Sequence, residues 1–173
     1  MIITVMGKTG QVIRPPETLE EDGPLIFLAG PIQGTHDWQA RAIRLLCAKA
    51  PGVNIASPRR PRTGPDFVYA EQVDWETCQL ARAGKDGVIL FWLAKEQEHD
   101  AKRAYAQTSR VEIGEWMSAA ARGEAKLVVG IEEGFTGGRY IRHRLAQMCP
   151  QVPVASDLEA ACEAALRLLG SLA

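Results

Sequence analysis

Residues Gly87-Val88-Ile89-Leu90-Phe91-Trp92 form an unbroken apolar run, with no polar residue to mark a solvent-facing side. A strand of this kind is buried on both faces, so it needs packing layers above and below and belongs inside a parallel sheet. Four more β-rich runs, at 25–29, 53–56, 126–131 and 152–154, alternate with segments of helical periodicity at 37–49, 67–83, 110–122, 139–147 and 158–169. That alternation predicts an α/β three-layer sandwich around a central, mostly parallel sheet of about five strands. Residues 1–5 and 11–13 flank a Gly-Lys-Thr-Gly turn and predict a small N-terminal hairpin, followed by a polar connector over 15–24. With 173 residues and no repeat or low-complexity tract, the chain reads as one domain: hairpin and connector over 1–24, α/β core over 25–173.

Composition excludes several classes of function. A formal net charge of −1 gives no electrostatic footprint for a nucleic-acid polymer or an anionic membrane. No apolar run approaches the ~20 residues of a membrane span, and the N-terminus lacks a basic region followed by an apolar stretch. Cytoplasmic residence is therefore expected. Cys47, Cys78, Cys149 and Cys162 have no C-x-x-C spacing and read as buried, reduced thiols. His36, His99 and His143 lie far apart, without metal-ligand spacing, and no elbow motif supports a serine nucleophile. Asp86-Gly87 reads as a turn at the end of the sheet away from the strand-to-helix loops.

Those loops, at the carboxyl edge of the sheet, are where α/β proteins bind ligands. Gly30-Pro31-Ile32-Gln33-Gly34-Thr35 joins a strand to a helix, and its glycines would let backbone N–H groups approach a ligand. It is neither a phosphate-binding P-loop nor a dinucleotide fingerprint, and a plain turn fits equally. Arg59, Arg60 and Arg62 follow the next strand, suited to phosphate or carboxylate. On the 67–83 helix, Tyr69, Val73, Leu80 and Ala83 follow the spacing of one face, and Glu76 occupies the missing place in that stripe. A carboxylate there must be paired, hydrogen-bonded or protonated, unless it reaches solvent at the stripe's edge. Ser109-Arg110-Val111-Glu112 has two readings. It is a formal capping box, with Glu112 turned back to the Ser109 backbone. Alternatively, Glu112 is a nucleophile kept ionised by the positive end of the helix dipole. Gly137-Gly138-Arg139-Tyr140 could cradle a ligand or serve as a flexible loop. The charged stretch 95–107, with Glu96, Glu98 and Asp100, is a candidate lid that excludes water or delivers a proton.

In their order along the chain, Phe27-Leu28-Ala29-Gly30-Pro31-Ile32, Ser57-Pro58-Arg59-Arg60, Trp75-Glu76, Leu90-Phe91-Trp92-Leu93, Glu112-Ile113-Gly114 and Val129-Gly130-Ile131 resemble the nucleoside 2-deoxyribosyltransferase-like family. The resemblance implies a Rossmann-like or flavodoxin-like fold, a homodimer or higher homo-oligomer, and no cofactor. It also implies that the Glu-x-Gly motif supplies the nucleophile, here Glu112, and that a carboxylate on the preceding helix, here Glu76, holds sugar hydroxyls. The loop Gly30, Pro31, Ile32, Gln33, Gly34 would lie beside sugar and base. The sequence departs from the family in three places. Ala106, Gln107 and Thr108 stand where strong transferases carry an acid, and the helix carboxylate is Glu instead of Asp. Gln33 stands where nucleotide-hydrolysing relatives often carry Arg.

The resulting expectation is N-glycosyl transfer on a nucleoside-like substrate, with Glu112 and Glu76 catalytic and Arg59, Trp92 (or Trp38) and Ser109 binding the substrate alongside the first loop. The alternatives are a nucleoside 5′-monophosphate N-glycosidase, with Arg59 or Arg60 on the phosphate, and a non-catalytic domain that senses a nucleotide-derived ligand.

Overall fold

The computed structural model describes residues 9–20, 23–61 and 64–170. Among these residues six strands form one sheet: β1 (Val12–Ile13), β2 (Leu25–Ala29), β3 (Asn54–Ala56), β4 (Val88–Leu93), β5 (Leu127–Ile131) and β6 (Val154–Ala155). Five helices alternate with them: α1 (Trp38–Lys49), α2 (Tyr69–Asp86), α3 (Gln107–Ala121), α4 (Gly138–Met148) and α5 (Leu158–Gly170). Strand order is β1-β3-β2-β4-β5-β6, and every neighbouring pair is parallel. The fold is the Rossmann-like or flavodoxin-like α/β sandwich.

Side chains of the central strands alternate between two cores, as the two-residue period of a strand requires. Phe27, Ile89, Phe91, Leu93 and Val129 pack under α2, α3 and α4. Ile26, Leu28, Leu90, Trp92 and Val128 pack under α1 and α5. The division follows from right-handed crossovers: the chain leaves β2 in one direction through α1 and returns through α2 to the other side of β2, so these helices cover opposite faces. The strand order thus reverses at the β2/β4 pair. The crevice at such a switch point is a built-in ligand site.

Three expectations need correction. Val12–Ile13 pairs in parallel with β3 as an edge strand of the main sheet, giving six strands among the described residues where five were expected. The other half of the expected hairpin lies outside the described residues, as does Arg62. The apolar stripe on α2 is not buried along its length. Tyr69 is 71% and Val73 39% exposed, whereas Gln72, Trp75 and Gln79 face inward with Leu80 and Ala83. Trp75 fixes the connector, since its indole Nε1 donates to the Glu17 carbonyl at 2.7 Å while its ring packs on Phe27. Among the cysteines, Cys149 and Cys162 are buried, but Cys78 is exposed and Cys47 only half-buried, and all four are free.

Candidate active site

A strand-to-helix loop must turn sharply at Gly30, whose φ of +145° is a conformation that only glycine adopts without strain. A side chain there would also collide with the Trp92 carbonyl oxygen. The loop that follows is held from behind. Arg59 Nη2 donates to the Ile32 carbonyl at 2.7 Å, its Nε donates to Gln39 Oε1 at 3.0 Å, and its guanidinium lies 3.3 Å from Asp37. The Trp38 indole donates to the Pro31 carbonyl at 2.8 Å. On the far side of the crevice, the Gly34 carbonyl accepts from the N–H groups of Gln97 and Glu98, and Tyr105 Oη donates to Ala94 O at 2.7 Å. The segment after β4 is therefore turns tied to the first loop.

Between these loops and helices α2 and α3 lies a cavity of about 390 Å³, open on one side. Its lining includes Gly30, Pro31, Ile32 and Gln33 from the first loop, and Pro58 and Arg60 from the next. Tyr69, Gln72, Val73 and Glu76 come from α2, with Phe67 just before it. Arg103 and Ala106 precede α3, which contributes Ser109 and Glu112. A nucleoside-sized ligand fits such a volume, small-molecule sites being roughly 300–1,000 Å³.

The two carboxylates suspected from sequence thus reach one hollow from different helices. Glu112 is half-buried, and its pKa is pushed up to about 7 by burial first, then by the facing charge of Glu76 and by Glu115. Glu76 is also raised by burial, against an opposing hydrogen bond from Gln72 and the nearby charge of Arg60. Gln72 Nε2 donates to Glu76 Oε1 at 2.6 Å and to the Pro58 carbonyl at 2.9 Å. Gln72 Oε1 accepts from Arg60 Nε at 2.6 Å, and the Arg60 guanidinium also sits 5.5 Å above the Phe67 ring.

The capping box does not form. Helix α3 begins at Gln107, capped by the left-handed Ala106 without any side-chain hydrogen bond, so Ser109 lies in its first turn and Glu112 beyond it. Ser109 is buried against the cavity. Burial and the like charges of Glu76 and Glu115 raise the proton affinity of Glu112, opposite in sense to the effect expected of the helix dipole.

Other sequence candidates are placed elsewhere. Arg59 does not line the cavity: its guanidinium is held by the first loop and the start of α1, and Arg60 takes the inward position instead. Trp92 and Trp38 are 4% and 0% exposed in the core under α1 and α5, so neither can stack on a ligand. Gly34 anchors the β4 loop and is not part of the lining. Glu96, Glu98 and Asp100 are also outside it: Glu96 pairs with His99, and Asp100 accepts from the Lys102 backbone. Gly137 is the left-handed cap of α4, so the Gly137-Gly138 segment is a helix start. Among the described residues no group of His, Cys, Asp and Glu could hold a metal ion.

The family model described as "Nucleoside 2-deoxyribosyltransferase like" matches residues 23–135, from the connector before β2 to the turn after β5. The chain belongs to the nucleoside 2-deoxyribosyltransferase-like family. The matched region contains every cavity-lining residue and both carboxylates. Family membership implies a small-molecule nucleoside-type substrate and a role related to N-glycosyl transfer. No curated protein shows significant similarity to the chain. No helix among the described residues is long and apolar enough to cross a membrane.

Sequence reasoning missed Gln72, Phe67, Tyr69, Arg103 and the segment 106–108 as lining residues. One signal was available: Gln72 stands four residues before Glu76, the spacing at which helical side chains meet.

Proposed function

We propose that this protein transfers the sugar of a nucleoside-like substrate through a covalent intermediate on Glu112. The observation that carries the reading is the pair of carboxylates, Glu76 and Glu112, facing one nucleoside-sized cavity at the switch point of the sheet. In its ionised form, Glu112 attacks C1′. The C1′–N bond breaks with its electron pair going to the base, which takes up a proton, and a glycosyl ester forms. Attack at C1′ by an acceptor base, or by water, breaks the ester and returns the Glu112 carboxylate. Two displacements retain the anomeric configuration. Glu76 accepts hydrogen bonds from sugar hydroxyls, and the exposed rings of Phe67 and Tyr69 at the mouth offer apolar surface to the base. The protein is proposed to act in the cytoplasm as a homodimer or higher homo-oligomer, without a cofactor.

A second reading is supported by Arg60 and Arg103, two cations on the cavity wall. They would suit a 5′-phosphate, making the substrate a nucleoside 5′-monophosphate and water the acceptor. One experiment tests both. The protein is incubated with a panel of nucleosides and 5′-monophosphates, with and without an acceptor base, and products are separated by chromatography. A new nucleoside in the presence of acceptor supports transfer, and free base from monophosphates alone supports hydrolysis. Ligand binding with no product from any substrate would leave only the non-catalytic sensing role.

A further inference from the structure

Each buried polar group around Gln72 has a fixed role. The Pro58 carbonyl can only accept a hydrogen bond, and the Arg60 Nε–H can only donate one. The Gln72 amide lies between them, with Nε2 2.9 Å from Pro58 O and Oε1 2.6 Å from Arg60 Nε. Turning the amide over would set oxygen against oxygen and N–H against N–H. Its orientation is therefore determined twice, from the β3–α2 loop on both sides, and Gln72 is only 9% exposed. The second Nε2 hydrogen then faces Glu76 Oε1 at 2.6 Å, so that oxygen must accept.

We propose that Gln72 is a positioning residue that makes Glu76 the charge-holding member of the carboxylate pair, leaving the pair's proton on Glu112 until substrate binds. The inference deepens the glycosyl-transfer reading and rests on Glu76 and Glu112 being its catalytic pair. Two carboxylates facing one hollow do not both ionise freely, so whichever is better supplied with donors ionises first. Glu76 has the Gln72 amide and the Arg60 charge on its side. Glu112 faces Glu76 and Glu115. The remaining titratable groups on the cavity wall are Tyr69 and Arg103. Substrate hydroxyls that donate to Glu76 would dilute its charge and release the proton from Glu112, tying activation of the nucleophile to a correctly seated sugar.

The test needs no turnover, so its failure is separable from failure of the glycosyl-transfer reading. Carboxyl carbons of the free protein are followed by NMR from pH 4 to 9 in the wild type, Gln72→Met and, as a control, Gln79→Met. Gln79 is another buried glutamine of α2, and it does not line the cavity. In Gln72→Met the Glu76 midpoint is expected to rise and the Glu112 midpoint to fall, each on the order of half a pH unit. Gln79→Met should move neither. In the wild type, the side-chain amide signals of Gln72 should shift with the Glu76 titration, a readout that survives if the variant fails to fold. Unmoved midpoints in Gln72→Met, equal shifts in Gln79→Met, or a Gln72 amide insensitive to pH would each overturn the proposal.

Discussion

The charge of Glu76 on α2 raises the proton affinity of Glu112 on α3, across a cavity that neither helix could form alone. Position in the fold creates this coupling, since 36 residues of sequence separate the two and only the β2/β4 switch point brings their helices to one crevice. The chemistry and the titration of the site both follow from it.

A nucleophilic carboxylate must be ionised, and Glu112 ionises at about 7. The acid limb of kcat/KM for the free enzyme should therefore rise with pH to a midpoint near 7. In Glu76→Gln that midpoint should move down, because a raising charge is gone. Activity should nonetheless drop roughly 10–100-fold, as expected for losing a charge-assisted hydrogen bond to substrate. A pH–rate series on both proteins checks the direction of each change.

Stability should respond in the opposite sense from a helix cap. Folding raises the pKa of Glu112 from its ordinary 4.5 to about 7, so between those values the folded state holds more protons than the unfolded one. Stability then falls as pH rises through that window and stays lowered above it. Glu112→Gln removes this liability and should raise the melting temperature at pH 8, with a ceiling of roughly 3 kcal/mol. A capping residue would instead lose about 1 kcal/mol on substitution. Thermal unfolding at pH 5 and pH 8 separates the two, the gain being confined to the higher pH.

Two adjacent arginines should separate in their effects. Arg60 faces the cavity and also supports Gln72 and Glu76, so Arg60→Gln should slow all substrates and weaken 5′-monophosphates by roughly 10–100-fold beyond that shared loss. Arg59 braces the first loop from outside, so Arg59→Ala should lower kcat/KM for all substrates alike. Steady-state kinetics on matched nucleoside and nucleotide pairs provides the comparison.

Gly30→Ala should cost about 2 kcal/mol or more, since it combines a φ of +145° with a collision against the Trp92 carbonyl. Denaturant unfolding measures that loss. Gly114→Ala, in the Glu-x-Gly motif but with open space around it, should not destabilise α3.

The sheet was legible because periodicity is a local signal: the unbroken run 87–92 and the all-buried 25–29 could only be interior strands. That Val12–Ile13 joins the main sheet was not legible, because its partner β3 lies some forty residues ahead and two residues carry no period of their own. Both carboxylates were legible, Glu76 as an acid interrupting an apolar spacing and Glu112 through its Glu-x-Gly context. Their surroundings were not. Tyr69 and Val73 look like core on a helical wheel, yet both are exposed and line the cavity. Trp92 looks like a ligand platform at a strand end, yet the parity of β4 directs it beneath α1 and α5. Arg59 and Arg60 are adjacent and alike in sequence, and only the tertiary acceptors Ile32 O and Gln72 Oε1 decide which guanidinium faces inward.

The central claim is most directly tested by trapping the intermediate. The protein is incubated with a nucleoside carrying a 2-fluoro sugar, which slows breakdown of a glycosyl ester, then digested and mapped by mass spectrometry. A single sugar adduct on Glu112, absent in Glu112→Gln, is the predicted result. An adduct on Glu115 or Glu76, or base release with no adduct on any carboxylate, would contradict it.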